Sequence, residues 1–217
     1  KTGAITDTAP FARYGRRPAD PVVSSYLIVP WLVYLHYGDC RILEEHYEGM
    51  KKWEAYLGRS ADDYIVSYSY YGDWCPPLTE SVQDSIGAGA VSATTPGILM
   101  STGFYYYNAI LLSKMARVLG KLEEEREYIS LVDRIKEAFN RRFFNRATNQ
   151  YATGSQSCHV FPLFLGLVPE ESKAAIIEHL VNDIMEKHNG HLTTGNLCSK
   201  YIMDVLTEAG RADVAYV

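Results

Sequence analysis

Residues 102–143 read TGFYYYNAILLSKMARVLGKLEEEREYISLVDRIKEAFNRRF, two apolar-periodic runs that meet at Gly120. In the first, Thr102, Tyr105, Tyr106, Ala109, Leu112, Ala116 and Leu119 recur at steps of three and four. In the second, Tyr128, Leu131, Val132, Ile135, Ala138, Phe139 and Phe143 do the same. That spacing puts side chains on one face of an α-helix. Glu123, Glu124 and Glu125 crowd the N-terminal end of the second run, where carboxylates meet the positive end of the helix dipole. Glycine closes a helix readily because it enters the left-handed conformation without steric cost. The stretch is therefore a helix, a tight glycine turn and a second helix.

The same grammar extends in both directions. Gly38, Gly166 and Gly210 each close an apolar-periodic segment, and another helix begins within a few residues. Pro169-Glu170-Glu171 reads as a first helical turn, since proline lacks only an N–H that would have no partner there. Ala174, Ile177, Leu180, Val181 and Ile184 form a further apolar stripe. Helices are predicted at about 24–37, 40–57, 97–119, 122–143, 155–165, 169–187 and 197–209, with an eighth starting near Arg211. Tyr64-Ile65-Val66 hints at a short strand.

The connections alternate. The glycine turns are short, whereas 1–23, 58–96, 144–154 and 188–196 are longer. In antiparallel helices every second loop lies at the same end, so the long loops are expected at one end and the glycine turns at the other. This is the organisation of an α/α toroid or an α-solenoid. No fixed-period repeat is visible, which weakens the solenoid.

Composition excludes several functions. The net charge is −5, from 21 Lys+Arg and 26 Asp+Glu, and no basic stripe exists to neutralise phosphates. No partnership with nucleic acid is therefore expected. Hydrophobic residues make up 47% and charged residues 22%, as in ordinary globular chains. No apolar run reaches the length of a membrane span; Tyr26 to Tyr37 is too short and carries Pro30 and His36. Cys40, Cys75, Cys158 and Cys198 are widely separated and contain no CxxC pair, so they read as free thiols, not as a zinc site. His188 and His191 stand three apart in a loop without a third ligand, which does not suggest a metal. No metal and no cofactor is expected. Lys1 to Ile5 shows neither an initiator Met nor the apolar core of a signal peptide, and Asp213 to Val217 reads as helix. Both ends are expected to be cut, making residues 1–217 an internal fragment of one domain.

Function is expected on the long loops. Loop 58–96 is too long for a plain connector and contains Tyr68-Ser69-Tyr70-Tyr71-Gly72-Asp73-Trp74-Cys75-Pro76-Pro77. An acid beside an indole, fixed by glycine and a Pro-Pro pair, suits a sugar site: the carboxylate accepts from hydroxyls and the ring stacks on a pyranose C–H face. Composition by itself favours a plainer reading, Trp74 as a core plug and Asp73 as a turn residue. In Gly190-His191-Leu192-Thr193-Thr194-Gly195-Asn196, His191 is either a ligand-binding or acid–base group or a loop histidine bonded to backbone. Thr194 is a candidate cap for the next helix. In Tyr151-Ala152-Thr153-Gly154-Ser155-Gln156, Ser155 reads as a helix cap and Gln156 as a possible pore-facing side chain, capping being the simpler account. The loop carboxylates Asp7, Asp20, Asp62, Asp63, Asp73, Glu80 and Asp84 include no pair whose spacing marks an acid and a base.

At Tyr71 to Pro77 and His191 to Asn196 the chain resembles the catalytic barrel of bacterial α-L-rhamnosidases, glycoside hydrolase family 78. The resemblance continues in order through Val29-Pro30-Trp31-Leu32, Tyr37-Gly38-Asp39, Thr102 to Gly120, Tyr151 to Gln156, Leu165 to Pro169 and Leu206 to Tyr216. It implies part of an all-α (α/α)6 barrel, and an enzyme that releases L-rhamnose from a rhamnose-containing glycan or glycoside with inversion. It also implies that Asp73, Trp74 and His191 bind substrate. The family's general acid is a Glu in an Asp-x-x-x-Arg-x-Glu-Arg-x-Gly-Trp-x-Gly-Asp motif, and its general base a Glu in Thr-Thr-x-Trp-Glu. Neither motif occurs here, so the catalytic residues are unknown within this chain and expected before and after it. Where the family often has Trp-x-Asp before the Pro-Trp helix, this sequence reads Asp20-Pro21-Val22-Val23-Ser24-Ser25. The alternatives are an α/α-barrel glycosidase of different sugar specificity and a non-catalytic helical-repeat binding module.

Overall fold

A computed structural model describes residues 2–10, 17–77 and 91–216. Helices dominate: α1 Ser25–Tyr37, α2 Arg41–Arg59, α3 Gly97–Val118, α4 Leu122–Phe143, α5 Gln156–Phe164, α6 Glu170–Asn182, α7 Asn196–Glu208 and α8 Ala212–Ala215. A π-helical turn, Asp183–Lys187, continues α6. Two short antiparallel ribbons complete the described residues. Strand β1 (Ala61–Asp62) pairs with β2 (Ile65–Val66), and β3 (Phe144–Asn145) with β4 (Gln150–Tyr151). The strand hinted at by Tyr64 to Val66 is half of the first ribbon. The second ribbon lies in 144–154, read from the sequence as a long loop.

The helices form four hairpins, α1–α2, α3–α4, α5–α6 and α7–α8. Gly38, Gly120, Gly166 and Gly210 stand at φ +68°, +71°, +67° and +73°, the left-handed conformation expected of them. At three of these turns the helix ends with a six-to-one and a five-to-two hydrogen bond. Lys121 N donates to Ala116 O at 2.8 Å and Gly120 N to Arg117 O at 3.1 Å; Leu167–Pro162 and Arg211–Leu206 repeat the longer closure at 3.0 and 2.8 Å. At the remaining turn a single bond runs from Gly38 N to Tyr34 O at 2.8 Å.

The chain divides into two compact units. The first comprises residues up to Ser69 with Phe104–Ala138. Its core takes Leu43, Tyr47, Met50, Trp53 and Leu57 from α2, an i, i+4, i+7 pattern. The unit also buries Phe104, Leu111, Leu112 and Met115 of α3. The carboxyl group of Glu54 is buried within this unit, and burial pushes its pKa well above the ordinary carboxyl range.

The second unit comprises Tyr70–Gly103 with residues from Phe139 onward. Here α5 and α7 pack directly, with the Phe164 and Tyr201 rings stacked at 3.8 Å between centroids. In α6 the buried face runs through Ser172, Ile176, Leu180 and Ile184. Leu180, Val181 and Ile184 of the stripe read from the sequence are buried as expected, whereas Ala174 is exposed and Ile177 half-buried. In the first turns Ser172 and Ile176 take the buried face, Ser172 despite its polarity. No helix among the described residues is long and apolar enough to cross a membrane.

Candidate functional site

Three segments in or next to predicted long loops converge inside the second unit: Tyr70–Pro77, Ser155–Ser157 and His191–Cys198. Glu80 and Asp84 of the first of these loops lie outside the described residues. Asp73 is the hub. It is fully buried, and its carboxylate takes three protein donors. Oδ2 accepts from Ser157 Oγ at 2.5 Å and from Gly195 N at 2.7 Å, and Oδ1 accepts from Cys198 N at 3.1 Å. Gly195 and Cys198 frame the first turn of α7, whose amides have no partners within the helix. Asp73 thus caps α7 from 122 residues away. Direct contact between this carboxylate and a ligand would require one of these bonds to be given up.

The neighbouring backbone completes the clamp. Trp74 O accepts from Asn196 N at 2.7 Å. A Cβ at Gly195 would stand 2.4 Å from Asp73 O and 2.6 Å from Trp74 O, so the two strands of backbone meet only because Gly195 has no side chain. Thr194, the cap expected from the sequence, leaves the helix amides alone. Its hydroxyl pairs with Ser199 Oγ at 2.7 Å, because the remote carboxylate already occupies the capping position. Burial pushes the Cys198 thiol well up, and the Asp73 charge adds to the effect.

Gln156 is the second tie. Its amide is buried, not pore-facing. Nε2 donates to Asp183 Oδ1 at 2.9 Å and to His191 O at 3.2 Å, and Oε1 accepts from Thr193 N at 2.8 Å. One side chain thus fixes both sides of the loop that carries His191. Ser155 caps α5 as expected, its hydroxyl accepting from Cys158 N at 3.4 Å.

What this framework presents is apolar and neutral-polar. Trp74 is half-buried and sits edge-on to Tyr71, with centroids 4.8 Å apart and planes at 87°. His191 is exposed, its N–H donating to His188 O at 2.9 Å. Both carboxylates of the cluster are engaged, Asp73 as described and Asp183 by Gln156 and by Lys187 Nζ at 3.0 Å. Each oxygen of these two carboxylates thus already accepts at least one hydrogen bond from the protein. Among the described residues, no group of three or more His, Cys, Asp and Glu side chains could hold a metal ion. In the first unit Asp7 Oδ1 accepts from Asp20 N at 3.0 Å, and Asp20 Oδ2 accepts from Ser69 Oγ at 3.2 Å; Asp62 and Asp63 are exposed.

The sequence reading missed Ser157, the Cys198 amide and Asp183. Ser157 offered a weak signal, a hydroxyl two residues beyond a helix cap. The other two are backbone and tertiary relationships.

Comparison with known proteins follows the same lines. Residues 1–217 match the model of the bacterial α-L-rhamnosidase six-hairpin glycosidase domain. An α-L-rhamnosidase of Formosa agariphila is 34% identical over 189 residues, 87% of this chain and 20% of the relative. The structure of α-L-rhamnosidase from Dictyoglumus thermophilum superimposes on the whole chain with a TM-score of 0.89 at 39% identity, covering 24% of that protein. The Streptomyces avermitilis α-L-rhamnosidase, solved in complex with L-rhamnose, does so with a TM-score of 0.85 at 30% identity, covering 19% of that protein. The chain therefore spans about a fifth to a quarter of the length of these relatives. Four glycine-turned hairpins, the clamp in the second unit and these matches agree: the chain belongs to the bacterial α-L-rhamnosidase six-hairpin glycosidase domain family.

Proposed function

We propose that the whole protein hydrolyses terminal α-L-rhamnosides with inversion, and that residues 1–217 are an internal part of its single catalytic barrel. The observation that carries this reading is the clamp in the second unit, which sets an indole and an imidazole on loops tied to buried side chains. Trp74 stacks on the apolar C–H face of the sugar, a face that the methyl group of a 6-deoxyhexose extends. His191 bonds a sugar hydroxyl. Asp73 and Gln156 position these groups from beneath.

Hydrolysis with inversion needs one carboxylic acid to protonate the leaving oxygen and one carboxylate to activate water on the opposite face. The engaged state of Asp73 and Asp183 supports assigning both roles to glutamates elsewhere in the whole protein. This chain then contributes binding and orientation, which lower the barrier by fixing the sugar in a reactive geometry.

The test is to assay the whole protein on an aryl α-L-rhamnoside and follow the anomer released by NMR. The β-anomer of L-rhamnose should appear first and mutarotate afterwards. Initial release of the α-anomer would overturn inversion, and turnover of a different aryl glycoside in preference would overturn the sugar assignment.

A further inference from the structure

A second polar concavity in the same unit is used by nothing described so far. It has a volume of about 290 Å³ and is lined by Gln150, Thr153, His159, His179, Asn182 and Asp183 among others. That volume lies at the lower end of the range for small-molecule sites. His159 is its most unusual member. The residue is 1% exposed, yet neither ring nitrogen has a hydrogen-bond partner among the described residues. Buried polar groups in folded proteins are nearly always paired, so two orphaned nitrogens on one ring point to a missing partner. The ring lies parallel to that of His179, with centroids 6.1 Å apart and planes at 17°, and within the field of Asp183; both neighbours line the concavity.

The chemistry of the lining selects the class of ligand. Burial holds His159 neutral, its pKa lowered to about 4, and a neutral imidazole offers one donor and one acceptor. Hydroxyl groups, each able to donate or accept, can match either nitrogen. The Asp183 carboxyl group is already matched: Oδ1 accepts from Gln156 and Oδ2 from Lys187 Nζ at 3.0 Å. An anion would face Asp183 and an imidazole lone pair. A cation would face Lys187 and could use neither ring N–H. His179 Nε2 is spent on Thr148 O at 3.0 Å. The amides of Gln150 and Asn182 add neutral donors and acceptors. The space would hold several waters, each taking about 30 Å³ in the liquid, and one polyhydroxylated molecule can replace their hydrogen bonds.

We infer that this concavity is a binding site for a small neutral polyhydroxylated ligand of monosaccharide size, with His159 as its buried anchor. The site does not require the activity proposed above; only the choice of L-rhamnose as first probe rests on that reading.

The test is a titration of protein carrying ¹⁵N-histidine, observed through ring-nitrogen correlations at neutral pH, with L-rhamnose and separately with D-glucose. His159→Phe assigns the signals. The exposed Asn182→Ala, which leaves the buried core intact, tests the lining. The expected result is a saturable shift of both His159 nitrogens with at least one sugar, and a half-saturation about three- to tenfold weaker in Asn182→Ala, the range for one lost neutral hydrogen bond. His159 signals that stay fixed with both sugars, or drift without saturating, would mean that water alone fills the space and would overturn the inference. A saturable His159 response to D-glucose while L-rhamnose leaves both His159 and His191 unmoved would keep this site and count against the rhamnoside reading.

Discussion

The carboxylate of Asp73 accepts a hydrogen bond from Gly195 N at 2.7 Å, and the two residues are 122 positions apart in the chain. One side chain thereby stitches the long loop before α3 to the start of α7, with Ser157 at the head of α5 as the third party. The bond also carries charge to the positive end of a helix dipole, where it is most useful.

Asp73→Ala should accordingly cost stability well beyond an ordinary loop substitution. It leaves the amides of Gly195 and Cys198 and the Ser157 hydroxyl buried without their acceptor. The expected loss is about 2–4 kcal/mol in chemical denaturation. Asp73→Asn keeps an acceptor oxygen and should lose less. Equal losses for the two variants, or a loss within about 0.5 kcal/mol of wild type, would contradict the clamp.

The helices and their turns were legible in the sequence because both signals are local. Periodicity of 3.6 residues and a glycine able to adopt positive φ act within one turn of chain, and Gly38, Gly120, Gly166 and Gly210 stand where that reasoning puts them. The capping of α7 was not legible, because Thr194 is the obvious local choice and the actual acceptor arrives from a distant loop. In α6 the later part of the stripe was right, but its start was misread because Ser172 and Ile176, not Ala174 and Ile177, lie on the buried face. Gln156 was noticed for the wrong surface: its amide is consumed by Asp183, His191 and Thr193. Local chemistry singled out the three segments that meet in the clamp, and long-range hydrogen bonds hold Asp73 and Gln156 within it.

In the whole protein, Trp74→Ala should lower kcat/KM on an aryl α-L-rhamnoside by about tenfold or more, the loss expected when a stacking ring is removed. His191→Ala should lower it by about three- to tenfold. Because His191 is exposed, its variant should keep the wild-type denaturation midpoint to within about 0.5 kcal/mol. Unchanged kinetics in both variants would remove these residues from the sugar site.

Residues 1–217 expressed alone should show no turnover on the same substrate. A positioned acid or base each contributes about two to four orders of magnitude, and on the reading above both lie on other segments. The exposed apolar side chains of α1, Val29, Leu32 and Leu35, should make this polypeptide prone to self-association in light scattering. Turnover near the rate of the whole protein would place the catalytic carboxylates within these residues.

Stability should also carry a pH signature from Glu54. Burial raises its folded pKa well above the ordinary value of 4.5, with the neighbouring Asn108 amide acting weakly in the opposite direction. Between 4.5 and the folded pKa the folded chain holds the proton that the unfolded chain has released. Stability contributed by the neutral form is therefore full below that window and falls as pH rises through it. Glu54→Gln should abolish this decline and leave the protein more stable than wild type on the alkaline side. His159 supplies the opposite slope between its folded value of about 4 and the ordinary 6.5, so the two proteins must be compared at each pH. Parallel curves for Glu54→Gln and wild type from pH 4.5 to 8 would show that Glu54 is ionised throughout.

The glycines of this fold are irreplaceable for two opposite reasons, and mirror-image chemistry separates them. Gly38, Gly120, Gly166 and Gly210 have positive φ and no heavy atom within 4 Å of where a Cβ would project. What bars an L-residue there is therefore the positive φ alone, which is the ordinary region for a D-residue, so a D-alanine installed there by semisynthesis should stiffen the unfolded chain, a gain of about 0.4–1 kcal/mol per site. Gly195 has φ −74°, which any L-residue accepts, but no volume to spare. There L-alanine should not be tolerated although its φ is ordinary, so the four turns are open to chemical redesign and the clamp is closed to it.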